Sequence, residues 1–182
     1  KLSMLPKLAE VAKFPPRTRS GRPSCQEIVW QGEESNLDRL PFLTTWPQDG
    51  GRYITLPLVF TRDPATGARN VGMYRLQVYD ERTLGMHWQI HKGSAEHHRI
   101  AEERGGARME VAIALGGDPI SIYSGSAPLP PGIDEMVFAG WLRGAAVPMV
   151  ACRTVDLEVP AEAEIVLEGW VDPAERRREG PF

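Results

Sequence analysis

The chain has 182 residues, 42% of them hydrophobic and 25% charged, with a formal net charge of −3. That is enough for one ordinary domain with its own core; the mildly acidic balance argues against a nucleic-acid partner, and no apolar run approaches the about 20 residues of a membrane-spanning helix. Two cysteines, Cys25 and Cys152, are too few for a disulfide framework or a Cys-rich metal site, and the first twenty residues lack the apolar block of a secretory leader, so a reduced, cytoplasmic protein is expected.

Residues 1–14 set Leu5, Leu8, Val11 and Ala12 at helical spacing, and Pro15-Pro16 ends that helix. Residues 15–24 are basic and punctuated by Pro and Gly, the composition of an exposed connector. Residues 1–24 are therefore expected to be a helix and connector from a preceding domain, and residues 25–182 the main domain. Strands are predicted at Cys25 to Gln31, Tyr53 to Thr61, Asn70 to Tyr79, Leu84 to His91, Met109 to Leu115, Met149 to Val159 and Glu164 to Val171. The turn cluster Asp63-Pro64-Ala65-Thr66-Gly67 makes 53–79 a hairpin, and Pro57 inside its first strand favours an edge or a bulge. Two helices interrupt the strands. Ser94 to Arg104 is polar with Ser94 as N-cap, and Ile133 to Arg143 carries Ile133, Met136, Val137, Trp141 and Leu142 at helical spacing. The pattern predicts a mainly β, α+β fold, barrel-like with a few accessory helices.

The polar residues leave several readings open. His87, Gln89 and His91 alternate, so on a strand they share one face, bordering either solvent or a polar cavity. His97 and His98 lie on the polar helix and are expected to be exposed. There is no H-E-x-x-H, so zinc chemistry gains little support; a site of His, Asn and Glu would suit a harder ion such as manganese or magnesium. Gly116-Gly117-Asp118-Pro119 has neither phosphate-loop spacing and reads as a turn. Asp134 and Glu135 open a helix after the rigid Pro128–Gly132 loop, where the helix dipole explains one acid but not obviously both. Arg75, among Val71, Met73 and Gln77, needs an acceptor: a surface ion pair, or a carboxylate substrate held in a fork. Arg176-Arg177-Arg178 reads as a solvated charge run.

Several ordered motifs resemble the UbiD family of reversible decarboxylases, which use prenylated FMN. They are Pro41-Phe42-Leu43-Thr44-Thr45-Trp46-Pro47, Gly50-Gly51-Arg52-Tyr53-Ile54-Thr55-Leu56-Pro57, Asn70-Val71-Gly72-Met73-Tyr74-Arg75, Gly85-Met86-His87-Trp88-Gln89, His91-Lys92-Gly93, Ala127-Pro128-Leu129-Pro130 and Glu179-Gly180-Pro181-Phe182. The resemblance runs from about Cys25 to Phe182. It implies a split β-barrel related to flavin-binding barrels. It implies a Mn2+ ion (with K+ as a second candidate cation) held by Asn70, His91 and Glu135, tying the cofactor phosphate to a protein without a phosphate loop. Cofactor contacts are implied for Met73, Tyr74, Arg75, His87, Trp88, Gln89, Lys92 and Gly93, and for the Ser126–Pro128 loop. Many relatives carry Arg where Lys92 stands, so the charge is kept and the fork is lost.

The same resemblance implies roles for Arg75 and Glu179. Loss of CO2 from an aromatic or unsaturated carbon needs an electron sink, which the modified flavin supplies. Arg75 would orient the substrate carboxylate and pair with Glu179; a second acid would return the proton. In the family that acid follows Glu-Gly-Pro-Phe after one Gly, beyond Phe182 here. A front domain and a C-terminal domain, the latter building a homo-oligomer interface, are expected outside these residues, and the 182-residue piece alone is expected to be inactive. The implied partners are a small carboxylic acid, of 4-hydroxybenzoate or α,β-unsaturated type, and a flavin prenyltransferase that supplies the cofactor. Two rivals stand beside this reading: a non-catalytic split-barrel module binding flavin or a partner, and a metal-dependent hydrolase built on His87 and His91.

Overall fold

The computed structural model of the chain describes residues 9–88, 93–103, 105, 108–130, 132–172 and 174–182. Among these, the strands are β1 (Arg17–Thr18), β2 (Arg52–Ile54), β3 (Leu58–Arg62), β4 (Arg69–Met73), β5 (Leu76–Val78), β6 (Leu84–Met86), β7 (Met109–Leu115), β8 (Pro148–Ala151), β9 (Glu158–Pro160) and β10 (Ile165–Val171). The helices are α1 (Gly93–Glu103), α2 (Pro119–Ser124) and α3 (Glu135–Arg143). They form a mainly β, α+β fold of three sheets, ordered β10-β7-β3-β4, β2-β5-β6 and β1-β8-β9.

The antiparallel β10-β7-β3-β4 sheet is central because its middle strands are apolar on both faces. Leu58 and Phe60 of β3, with Ala112 and Ala114 of β7, pack with Met136 and Ala139 of α3 and Met149 and Val159 of β8 and β9. Val59 and Ile113 point the other way, into a second core with Ile54, Leu76 and Val78 of the β2-β5-β6 sheet. A strand buried on both sides reads as a continuous apolar run, which is how Leu58-Val59-Phe60 and Val111-Ala112-Ile113-Ala114 appear in the sequence.

The expected 53–79 hairpin is present, closed by a turn in which Asp63 Oδ1 accepts from the Ala65 amide at 2.7 Å. Its arms are not single strands. Ile54 pairs with Leu76 and Leu58 with Met73, so Thr55, Leu56 and Pro57 oppose only Tyr74 and Arg75. Pro57 has no N–H to give the ladder, and at this uneven corner the hairpin leaves the central sheet and continues as β2 and β5. Arg75 therefore sits in the corner, not on a strand face.

Other differences have equally local causes. The predicted strand over 149–159 is the β8–β9 hairpin. Residues 25–31 form no strand: Ser24–Gln26 is a 3-10 turn whose buried Gln26 side chain donates to the Ala151 carbonyl at 2.8 Å. The predicted 84–91 strand ends at Met86 as far as it is described; Gln89, His91 and Lys92 lie outside the described residues. The Gly116-Gly117 turn, with both residues at positive φ (72° and 93°), runs into the six-residue α2, capped by Asp118. Of the predicted N-terminal helix, residues 1–8 lie outside the described set and 9–11 are helical. The connector is exposed, as expected, yet Arg17 and Thr18 pair in parallel with β8.

His97 and His98 are buried, 8% and 6% exposed, which overturns the expectation for α1. The buried face of α1 is Ser94, His97, His98 and Ala101, an i, i+3, i+4, i+7 set. Its spacing is that of a core-facing helix while its residues are polar, so hydrophobic patterning could not find it. Arg176 is likewise more than a solvated charge: it donates to His98 Nε2 (3.2 Å) and pairs with Glu102 (3.0 Å). No helix among the described residues is long and apolar enough to cross a membrane.

Candidate functional site

The corner residue Arg75 is met by the chain's last residues. Its Nε and Nη2 donate to Glu179 Oε1 and Oε2 at 2.8 and 3.0 Å, a two-point fork. His87 Nδ1 lies 2.9 Å from the same Oε2, and the His87 amide donates to the Arg75 carbonyl at 3.2 Å. The Glu179 side chain is only 10% exposed. Burial works to raise its pKa, but the hydrogen bonds and charges of Arg75 and His87 prevail and hold the carboxyl below the ordinary carboxylate range. Using one guanidinium edge for Glu179 leaves the Nη1 side for an incoming carboxylate.

The tail is clamped so that Glu179 can reach. Gln77 accepts from the Gly180 amide (2.9 Å) and donates to the Gly50 carbonyl (2.9 Å). Pro181 O accepts from the Gly50 amide (2.8 Å) and the Tyr53 hydroxyl (3.0 Å). A Cβ at Gly50 would collide with the Gly180 carbonyl, so this approach requires glycine. The Phe182 ring tilts against Tyr53 at 4.6 Å and lies 5.0 Å from the Arg75 guanidinium carbon. Sequence reasoning missed Gln77; it contacts residues 27 and 103 positions away, and nothing local marks it.

A second cluster forms where β4 meets α3 and α1. Asp134 and Glu135 divide their work. Asp134 is the N-cap of α3, accepting from the Met136 and Val137 amides, and pairs with Arg69 at 2.7 Å. Glu135 instead turns to β4, where its Oε2 accepts from the Val71 amide at 3.0 Å, beside Asn70. Burial pushes its pKa up to about 7. Among the described residues no Lys, Arg or His side chain pairs with it. Asn70 lies against Gly93, where any Cβ would overlap its Oδ1, and its Nδ2 donates to Ser94 Oγ at 3.2 Å. Glu135 thus reaches β4 at the residue after Asn70, while the Asn70 side chain faces Ser94 and Gly93; His91, two residues before Gly93, lies outside the described residues. A half-buried carboxylate with no ion-pair partner among the described residues, reaching the strand that carries an amide oxygen at Asn70, offers donor types that fit a hard divalent cation. Among the described residues no three His, Cys, Asp or Glu side chains form a cluster of their own.

The remaining candidates line the chain between these clusters. Met73 ends β4, its amide donating to the Gly125 carbonyl at 3.1 Å, and Tyr74 is buried at the corner. Ser126, in the loop after α2, donates to the Tyr123 carbonyl at 2.8 Å. Trp88 lies edge-on to His98 at 5.4 Å, and its buried indole N–H has no acceptor among the described residues. A buried donor without an acceptor costs about 1–3 kcal/mol, so it fits a bound group with oxygen or nitrogen acceptors. A cleft of about 1560 Å³ opens between β6 and β10, lined by Met86, Trp88, Leu167, Arg176 and Glu179 among others. Of the candidates among the described residues, Trp88 and Glu179 reach it.

The family described as "UbiD: 3-octaprenyl-4-hydroxybenzoate carboxy-lyase Rift-related domain" matches residues 17–182. An uncharacterized protein of Archaeoglobus fulgidus is 51% identical over 175 residues, 96% of this chain and 35% of its own length. One from Aquifex aeolicus is 50% identical over 183 residues, 100% of this chain and 37% of its own length. Among solved structures, the UbiD-class enzyme HmfF from Pelotomaculum thermopropionicum in complex with FMN aligns with a TM-score of 0.87 at 38% identity, covering 98% of this chain and 40% of that one. Vanillic acid decarboxylase of Sedimentibacter hydroxybenzoicus, in its closed form, aligns with a TM-score of 0.87 at 32% identity, covering 97% and 40%. The fold is that of the UbiD-class enzymes. The chain itself belongs to the UbiD family and spans little more than a third of the curated relatives it matches.

Proposed function

We propose that this chain is the central, cofactor-binding domain of a UbiD-type decarboxylase that removes CO2 from an aromatic, 4-hydroxybenzoate-type, or α,β-unsaturated carboxylic acid. Residues 25–182 form that domain and 1–24 lead in from a preceding one. The observation that carries the reading is the Arg75–Glu179 fork with His87 on its second oxygen. It holds a half-buried guanidinium rigidly while leaving one side of it for a substrate carboxylate.

Asn70, His91 and Glu135 would hold Mn2+, with K+ as a second cation. Met73, Tyr74, Arg75, His87, Trp88, Gln89, Lys92 and Gly93 would contact prenylated FMN. When bound, that cofactor supplies the electron sink for the breaking C–C bond. Arg75 binds and orients the carboxylate. Glu179 fixes the guanidinium plane and balances its charge, which stops Arg75 from over-stabilising the ground-state carboxylate. Because Glu179 is held ionised, it positions Arg75 and does not supply the proton that replaces CO2; another acid does. His87 steadies the same carboxylate from the side. The whole protein is proposed to be a cytoplasmic homo-oligomer that receives its cofactor from a flavin prenyltransferase.

The test is to co-express the full-length protein with a prenyl-flavin synthase and record the bound-cofactor spectrum and CO2 release from a panel of aromatic and unsaturated acids. The reading expects retained cofactor and release from at least one acid, both lost in Asn70→Ala and release lost in Arg75→Ala. A protein that retains no flavin, or retains it and decarboxylates nothing in the panel, contradicts it. The 182-residue piece alone is expected to show no turnover.

A further inference from the structure

Asn70 on β4 stands opposite Thr61 on β3, and Ser94 and His97 reach them from the first turns of α1. The four side chains form one file. Asn70 Nδ2 donates to Ser94 Oγ at 3.2 Å, Ser94 Oγ is 3.3 Å from Thr61 Oγ1, and Thr61 Oγ1 is 3.0 Å from His97 Nδ1. Thr61 and Ser94 are 0% exposed and His97 is 8% exposed, so these groups must satisfy one another.

Counting protons gives the file a direction. An amide nitrogen can only donate, and each hydroxyl has one proton to give. Ser94 accepts from Asn70 and so gives its proton to Thr61; Thr61 gives its own to His97 Nδ1, which accepts. His97 is then the Nε2–H tautomer; burial, which holds its pKa below the ordinary value, favours a neutral ring. The opposite direction needs His97 Nδ1–H to donate outward, and it ends with Ser94 donating to the Asn70 oxygen. The amide would then be turned, with its NH2 outward, and an NH2 offers no lone pair to a cation.

We propose that Thr61, Ser94 and His97 form a one-way hydrogen-bond relay that decides which end of the Asn70 amide faces the cation, holding Nδ2 inward so that Oδ1 remains as the ligand. All three are positioning residues. The relay rests on the reading of Asn70 as a Mn2+ ligand.

The test measures Mn2+ affinity of the full-length protein in the presence of FMN, from the paramagnetic resonance signal of free Mn2+. Thr61→Val keeps the branched shape and removes the hydroxyl; it is expected to weaken Mn2+ binding about 10-fold, and Ser94→Ala likewise, because partners behind a metal ligand typically carry that much affinity. Thr61→Ser, which restores the hydroxyl, is expected to bind within about two-fold of wild type, since the relay then remains complete. In an Asn70→Asp background both ends of the side chain are acceptors and no wrong end exists, so Thr61→Val there is expected to change affinity by less than about two-fold. Equal weakening in both backgrounds means a general folding role and overturns the relay, as does unchanged affinity in both Thr61→Val and Ser94→Ala. A wild type that binds no Mn2+, or an Asn70→Ala variant that binds it undiminished, overturns the reading of Asn70 and the relay with it.

Discussion

Replacing Glu135 with Gln tests how this carboxyl is held before any cation arrives. In the metal-free protein its pKa is pushed from 4.5 up to about 7 by burial. At about 1.4 kcal/mol per pH unit, ionising it in place costs up to about 3 kcal/mol of folding stability once the pH is well above 7. The folded pKa lies above the unfolded one, so the folded state holds the proton more tightly between about 4.5 and 7, and that contribution fades as pH rises through the window. Gln keeps the shape and an acceptor for the Val71 amide. Metal-free Glu135→Gln should therefore be about 3 kcal/mol more stable than wild type at pH 8.5, and only about 1 kcal/mol more stable at pH 5.5. Urea unfolding in the presence of a chelator at both pH values reads this directly. A variant less stable than wild type by the same amount at both would show that the carboxylate is already stabilised by a positive partner and that its pKa is not raised by burial.

Gly93→Ala puts a methyl where Asn70 Oδ1 lies; about 1–3 kcal/mol of overpacking is expected in thermal unfolding, together with loss of Mn2+ binding by equilibrium dialysis. Arg75→Lys keeps the charge but cannot fork Glu179; steady-state CO2 release by the full-length protein should fall about 100-fold in kcat/KM. His97 and His98 are held below the ordinary histidine pKa by burial, the field of Arg176 adding to it for His98. The unfolded chain therefore takes up protons first, and stability should decline as pH drops below about 6.5. The Tm between pH 5 and 8, measured in the Glu135→Gln background to remove the opposing carboxyl, checks the sign; a flat profile would contradict the buried, neutral state.

What the sequence made legible follows from what local pattern can encode. The two-faced burial of β3 and β7 appears as unbroken apolar runs, and Asp63 to Gly67 announces its own turn. The corner at Pro57 and Arg75 was half visible: proline marked a break, but the uneven count of residues that turns one hairpin into two sheets depends on pairing across the arms. The buried polar face of α1 was invisible because hydropathy treats Ser94, His97 and His98 as solvent-facing. In the site, ordered motifs led to Asn70, Glu135, Arg75 and Glu179 through family resemblance. The supports behind them, Gln77 under the tail and Thr61 behind Asn70, were not legible, since each acts through contacts across strands or loops with no spacing of its own.

Asn70 and Glu135, with His91, are proposed to close on one divalent cation. Anomalous diffraction at the manganese absorption edge, from crystals of the full-length protein grown with FMN and Mn2+, would locate that ion. A single strong peak within bonding distance of Asn70 Oδ1 and the Glu135 carboxylate is predicted. A fully occupied manganese bound elsewhere, with Asn70 and Glu135 facing only protein or water, would contradict it.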